Sequence, residues 1–189
     1  DSLGLFGHGG CLFHGVHLDD GDFDIIKKRG ISVVTNPASN LKLASGIAPI
    51  KRYLDMGIPV AVGTDGPASN NCLDMFREMF LVTGLEVVPA MDVLEMATVN
   101  GAYAMGLHDC DVLALGKRAD LIVIDLMQPN MQPLHHIEKN IVYSGSKQNV
   151  KMTIINGKTV YKDGQFLIGE SKETVYQNAN RISERILGQ

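Results

Sequence analysis

Three short stretches set side chains capable of hydrolytic chemistry at the ends of apolar runs. In VAVGTDGPASNN, Val60 to Asn71, the triplet Val60-Ala61-Val62 delivers Asp65 into a loop of small and polar residues. Uninterrupted apolar runs mark parallel strands buried on both faces, so Asp65 falls at a strand's carboxyl end. In an α/β barrel that edge collects catalytic and metal-binding groups, which makes this carboxylate a candidate metal ligand or proton acceptor. The same Asp could equally cap the next helix or satisfy a turn. In CLFHGVHL, Cys11 to Leu18, a second apolar run ends in His14 and His17. His14 is the candidate there, set against the plain reading of a structural histidine beside an apolar strand. In ISVVTNPASN, Ile31 to Asn40, a β-branched run breaks at Asn36-Pro37, where proline turns the preceding residue away from helix.

The segments between these runs read as helices. Asp19 to Arg29 carries Phe23, Ile25 and Ile26 and ends in Lys27-Lys28-Arg29 before Gly30, a charge order that complements the helix dipole. Ala48 to Met56 begins around Pro49, ends at Gly57 and sets Ile50, Tyr53 and Leu54 on one face. The order is therefore βαβαβ, an α/β sheet or barrel whose working edge carries His14, Asn36 and Asp65.

Further along, Leu73 to Thr83 is predicted helical with Leu73, Phe76, Met79 and Phe80 forming its apolar face. Met91 to Met105 is predicted as a second helix with Val93, Leu94, Met96 and Ala97 inward, and Gly84 to Ala90 as the connector. Methionines at this spacing read as core filler. From about Leu107 the pattern changes to short strands: Leu121 to Asp125, Ile141 to Tyr143, and a hairpin in VKMTIINGKTVYKDGQF with Asn156-Gly157 as its turn and Asp163-Gly164 as the next. The tail, Ser171 to Leu187, has an N-cap signal, a face of Val175, Ala179, Ile182 and Ile186, and Gly188 as terminator.

The phrases FHGVHL, TNPASNLKLASGIAPI, GTDGPASNN, LEMATVNGA, GKRADLIVIDL and IINGKTVY, in this order, resemble the amidohydrolase superfamily, and specifically its adenosine-type and chlorohydrolase-like deaminases. Within it, NPASNLKLASGIAP followed by TDGPASNN is similar to the S-adenosylhomocysteine / 5-methylthioadenosine deaminases. The resemblance implies that Asp65 ends the eighth strand of a (β/α)8 barrel, binds the catalytic metal and accepts a proton from the attacking water. A metal of this kind lowers the pKa of bound water from about 16 towards about 7. It implies that His14 ends the sixth strand and hydrogen-bonds the hydrolytic water, and that Ser69 lies near the ring nitrogens of a purine-like substrate. Thr35 stands where many relatives have a histidine, which implies altered strand-end packing. The short connector after Thr83 implies a trimmed segment facing the site.

The family's metal site also needs a His-x-His pair on the first strand, and a histidine on the fifth followed at three residues by a glutamate. No His-x-His occurs in the sequence, and the lone His-x-x-Glu, His135 to Glu138, falls far beyond the barrel strands and reads as a surface loop. The expectation is the C-terminal part of an α/β, TIM-like (β/α)8 barrel, about three βα units in residues 1–106, with part of a small β-sandwich in 107–170 and a C-terminal helix in 171–189. A full barrel takes about 250 residues. Zinc, or another divalent metal, belongs to the complete enzyme; one ligand does not make a zinc site, so the chain alone is expected metal-free and inactive. Its open strand edges favour a complementing N-terminal portion or association into homo-oligomers. The alternatives are a chlorohydrolase, guanine deaminase or cyclic-amide hydrolase of the same superfamily, or a non-catalytic incomplete module.

Composition fits a cytoplasmic globular protein. Apolar residues make up 45% and charged residues 20%, and no apolar run approaches the ~18 residues a membrane helix needs. Cys11, Cys72 and Cys110 are odd in number and widely spaced, which reads as reduced thiols. A net charge of −4 without a basic cluster argues against nucleic acid as the main partner.

Overall fold

The three apolar runs form one parallel sheet in the computed structural model, which describes residues 2–188. β1 (Cys11–Phe13), β2 (Ser32–Thr35) and β3 (Val60–Val62) are ordered β1-β2-β3. Val33 stands opposite Leu12 on one side and Val60 on the other. All three strands run the same way, so the residues that follow them emerge along a single edge. Every residue of β3 is buried, as its unbroken apolar run required.

The helix α1 (Asp20–Arg29) opens with a reciprocal cap: Asp19 accepts the Asp22 N–H at 3.0 Å and Asp22 accepts the Asp19 N–H at 3.1 Å. It buries Phe23 and Ile26 and stops at Gly30, whose φ of 63° is the left-handed cap. α2 (Pro37–Lys42) is a short helix where the sequence suggested a loop; Pro37 sits in its first turn, where a missing N–H costs no hydrogen bond. α3 (Ile50–Asp55) buries Ile50 and Tyr53, and the Tyr53 ring lies 5.1 Å from that of Phe23.

α4 (Met75–Glu86) differs from the expected Leu73 to Thr83. Asp74 caps it by accepting the Phe76 N–H at 3.1 Å, which leaves Leu73 outside the helix. The buried stripe is Phe76, Glu78, Met79, Val82 and Thr83, while Phe80 is 51% exposed. The helix also runs through Gly84, leaving 87–89 as the connector. The single helix expected over Met91 to Met105 is two, α5 (Ala90–Ala97) and α6 (Val99–Ala104), broken at Thr98 with φ −128° and ψ −94°. There the Thr98 hydroxyl donates to the Leu94 carbonyl at 2.6 Å, and Asn100 on α6 donates to the Val60 carbonyl of β3 at 2.9 Å.

Two compact units result. One runs to Lys117 and takes up Leu126–Lys147; the other joins Arg118–Asp125 to the segment from Gln148 onward. In the first unit Ile141 to Tyr143 is not the expected strand: α7 (Ile137–Lys139) continues into a wide helical turn, Asn140–Ser144, with Val142 buried. An apolar triplet is too short for its period to separate strand from helix. The second unit holds an antiparallel sheet ordered β4-β5-β6-β7: β4 (Leu121–Ile124), β5 (Val150–Ile155), β6 (Lys158–Lys162) and β7 (Gln165–Phe166). Its turns, Asn156-Gly157 and Asp163-Gly164, have positive φ at both positions, as two-residue hairpin turns require. α8 (Lys172–Leu187) follows, capped by Ser171 and ended by Gly188. The chain is thus α/β, with a parallel sheet that is not closed into a barrel and a small antiparallel sheet. No helix among the described residues is long and apolar enough to cross a membrane.

Candidate functional site

The carboxyl edge of the parallel sheet brings His14 and Asp65 together. His14 directly follows β1, and its N–H extends the strand ladder to the Val34 carbonyl at 2.8 Å. Asp65 follows β3 by three residues. Both take the left-handed backbone conformation that L-residues avoid, with φ of 68° at His14 and 58° at Asp65. Strain of this kind persists where the surroundings over-determine it, and it clusters at working sites. His14 Nε2 lies 3.8 Å from Asp65 Oδ2, with the side chains 40% and 30% exposed. His14 Nδ1 meets Asn40 Oδ1 at 2.8 Å, which fixes the ring plane and turns Nε2 towards Asp65.

Two serines share the same carboxylate oxygen. Ser39 Oγ, from α2, and Ser69 Oγ, from the loop after β3, each donate to Asp65 Oδ2 at 2.6 Å. The Ser39 hydroxyl is the largest cause, with Ser69 and the Gly66 N–H behind it, of an Asp65 pKa below the usual carboxylate range, at about 2. Asp65 is therefore an anion at neutral pH. Ser69 also donates to the Gly66 carbonyl at 3.2 Å. Lys42 closes the outer side by donating to the Ala68 carbonyl at 3.0 Å and to Asn71.

Asn36 shares the edge but is buried, its amide turned back to the Val34 carbonyl at 3.3 Å. Close behind it, a Cβ on Gly63 would stand 2.8 Å from Asn36 Oδ1, so glycine is what lets β3's end pass. Thr35 Oγ1 is buried with no hydrogen-bond partner. His135 and His136 are exposed, and His136 pairs with Glu138 at 3.7 Å.

Ser39, Asn40 and Glu78 were not singled out by sequence reasoning. A signal for the first two exists: Pro-Ala-Ser-Asn occurs at 37–40 and again at 67–70, thirty residues apart, the length of one βα unit here. Glu78 is a carboxylate on the inward stripe of α4, accepting the Ala38 N–H at 2.9 Å and the Asn70 side-chain amide at 2.7 Å. Burial pushes its pKa up, against the lowering effect of these two donors.

Among the described residues no three His, Cys, Asp or Glu side chains are arranged to hold a metal ion. Asp65 and His14 supply two donor groups at most, whereas zinc takes four or five ligands. The described residues therefore do not by themselves supply a zinc ligand set.

The amidohydrolase family profile matches residues 1–160. The 5-methylthioadenosine/S-adenosylhomocysteine deaminase of Dictyoglomus thermophilum is 38% identical over 98% of this chain and 46% of its own length. The 5'-deoxyadenosine deaminase of Methanosarcina acetivorans is 40% identical over 99% of this chain and 45% of its own. Among solved structures, an adenosine deaminase from Xanthomonas campestris with bound zinc superposes with a TM-score of 0.90 at 34% identity, covering 95% of this chain and 43% of that one. The chain spans less than half the length of the curated relatives it matches, corresponding to their C-terminal part.

Proposed function

The chain belongs to the amidohydrolase family, and from that membership we propose that it is the C-terminal barrel portion of a hydrolase that deaminates an adenine nucleoside carrying a 5' thioether, of the S-adenosylhomocysteine or 5-methylthioadenosine type. In this reaction water adds to the ring carbon bearing the 6-amino group, and ammonia leaves. The observation that carries the reading is the Asp65 cluster: a carboxylate held ionised by two hydroxyls, 3.8 Å from a histidine whose orientation is fixed, at one strand edge.

Each residue has a task in this reading. Asp65 would be a ligand to a metal centre completed from outside this chain, and is the acceptor of the proton released as water adds. His14 Nε2 orients that water and steadies the charge that builds on the ring. Ser69, beside Asp65 at the open side, lies where the ring nitrogens of the substrate come. Relatives named for 5'-deoxyadenosine match as well as those named for the thioether nucleosides, so 5'-deoxyadenosine is the second substrate to weigh. Both share an adenosine lacking its 5' hydroxyl.

The test supplies the missing barrel portion. The chain is co-expressed with the N-terminal part of the Dictyoglomus relative that it does not cover, and ammonia release is measured. The substrates compared are 5-methylthioadenosine, S-adenosylhomocysteine, 5'-deoxyadenosine, guanine, cytosine and a chlorinated triazine. Turnover of the thioether nucleosides above the others is expected. Preference for guanine or the triazine in an active complex would overturn the substrate class and leave the Asp65 and His14 roles standing.

A further inference from the structure

The two segments that deliver hydroxyls to Asp65 are built from the same four residues, Pro37-Ala38-Ser39-Asn40 opening α2 after β2 and Pro67-Ala68-Ser69-Asn70 in the loop after β3. Their serines converge on one oxygen, Asp65 Oδ2. Behind them both segments converge a second time. Glu78 Oε2 accepts the backbone N–H of Ala38 and Glu78 Oε1 accepts the side-chain amide of Asn70, so each carboxylate oxygen holds a different segment. Asn70 passes the tie on, donating to the Thr64 carbonyl at 2.8 Å, the residue just before Asp65.

Stability alone does not explain a carboxylate here. Glu78 is 0% exposed, on the same stripe of α4 as Phe76, Met79 and Val82. Removing a carboxylate from water is costly, and a buried polar network replaced as a whole by well-packed apolar groups is often as stable or more so. What an apolar residue lacks is two acceptor atoms about 2.2 Å apart that face two segments at once. Both partners are N–H donors, and neither can accept a proton from a neutral carboxyl, so the bridge is made by the anion.

We propose that Glu78 is a positioning residue for the Asp65 site: its carboxylate locks the start of α2 to the loop after β3, and so keeps Ser39 and Ser69 in register on one oxygen of Asp65. Its catalytic consequence rests on the reading of Asp65 given above; its structural core does not.

Glu78→Gln is the first variant, because it preserves shape and replaces one acceptor by a donor. The substituted side-chain amide keeps one segment and turns an N–H towards the donor of the other. In the chain as it stands, amide hydrogen exchange of Ala38 and the side-chain amide signal of Asn70 report the two arms. At least one arm should loosen about tenfold relative to the amides of Ser32 and Val33, which bond across the sheet to Gly10 and Pro59. Val82→Ala, a cavity one turn further along α4, is the control: it should lower protection evenly and leave the difference between arms and sheet unchanged. In the co-expressed, active complex Glu78→Gln should lower kcat at least tenfold with KM within about threefold, the signature of lost positioning, while Val82→Ala leaves kcat per folded molecule unchanged.

Unchanged reporters in Glu78→Gln would overturn the proposal, as would even loosening of sheet and arms alike. Should Glu78→Gln not fold, Glu78→Met, which removes both acceptors and leaves the Ala38 and Asn70 reporters in place, is read in the same way. If neither folds while Val82→Ala does, Glu78 serves the fold and not the site, and the proposal fails. A wild-type complex inactive on every substrate would refute the functional reading while the exchange data still decide this one.

Discussion

Tyr53→Phe isolates the contact that holds the His14 turn. The Tyr53 hydroxyl, on α3, donates to the Gly15 carbonyl at 2.5 Å, and the side chain is 0% exposed. His14 and Gly15 are successive left-handed residues, and the backbone bonds of this turn are the His14 N–H to the Val34 carbonyl and the Gly15 N–H to the Phe13 carbonyl, both at 2.8 Å. Phe keeps the ring against Phe23, over which the Arg52 guanidinium also sits at 3.9 Å, so the loss is confined to one hydroxyl. A net hydrogen bond contributes about 1 kcal/mol, and a carbonyl left buried without a donor raises the cost to as much as ~3 kcal/mol. The expected destabilisation is about 1 to 3 kcal/mol, read as a shift of the urea midpoint with unchanged slope. A second signature is alkaline. Burial, opposed by Arg52, pushes the Tyr53 pKa from 10.0 up to about 12, so its contribution is fully present below pH 10 and is lost as pH rises through about 12. That loss should be absent from the Phe variant. A midpoint within ~0.3 kcal/mol of wild type, with unmoved His14 ring signals, would refute the idea that Tyr53 pins the turn.

Acid acts on Asp65 with the opposite sign: its lowered pKa, about 2 against 3.8, gives a contribution present above pH 3.8 and lost as pH falls through about 2. Ser39→Ala should move the Asp65 carboxyl midpoint upwards, further than Ser69→Ala does, in a carbon NMR titration; no movement in either would remove the serines as its cause. Gly145→Ala would drive a Cβ into the Ile141 carbonyl oxygen and set it 2.8 Å from the Phe76 ring. Overpacking against backbone costs ~1–3 kcal/mol or more, so thermal melting should fall clearly, and an unshifted melt would show that the Asn140–Ser144 turn relaxes freely. In the active complex, Asp65→Asn should lower kcat by at least ~10²–10⁴-fold, whereas His14→Asn should cost activity and spare metal content; a drop in bound zinc with His14→Asn would make it a ligand.

Much of this was legible because it is local. The β3 triplet, the Gly30 stop and the Asn156-Gly157 turn are each decided within a few residues, and each stands where the pattern put it. That His14 and Asp65 share an edge followed from counting strands and crossovers. The Asp65 cluster was not legible in the same way. Ser39 reaches Asp65 across 26 residues, and Asn40 reaches His14 across the same separation. No period in the sequence encodes that closure. The failures at Leu73, Thr98 and Ile141 share a cause: hydrophobic spacing was taken to decide helix limits that a capping Asp, a back-bonded Thr and a short buried triplet decide instead. Glu78 escaped because a charged residue within an apolar stripe is normally solvated, and only the packing of α2 over α4 shows that it is not.

The two tasks proposed for Asp65 pull its acidity in opposite directions. A ligand must be deprotonated, and a pKa of about 2 guarantees it. A proton acceptor works best with a pKa near the operating pH, and at about 2 it holds a proton only fleetingly. The geometry shows where the conflict is concentrated, since both hydroxyls and His14 Nε2 face the same oxygen, Oδ2. Proton acceptance at that oxygen requires a hydroxyl to swing away. Ser69 is the one free to do so, because its alternative acceptor, the Gly66 carbonyl, is already within 3.2 Å, whereas Ser39 is 0% exposed and fixed on the segment that Glu78 holds. A substrate that engages the Ser69 hydroxyl would thereby raise the basicity of Asp65 at the moment the proton arrives. Ser69→Ala should then weaken substrate dependence of the Asp65 role more than Ser39→Ala, which should instead disturb the carboxylate whether or not substrate is bound.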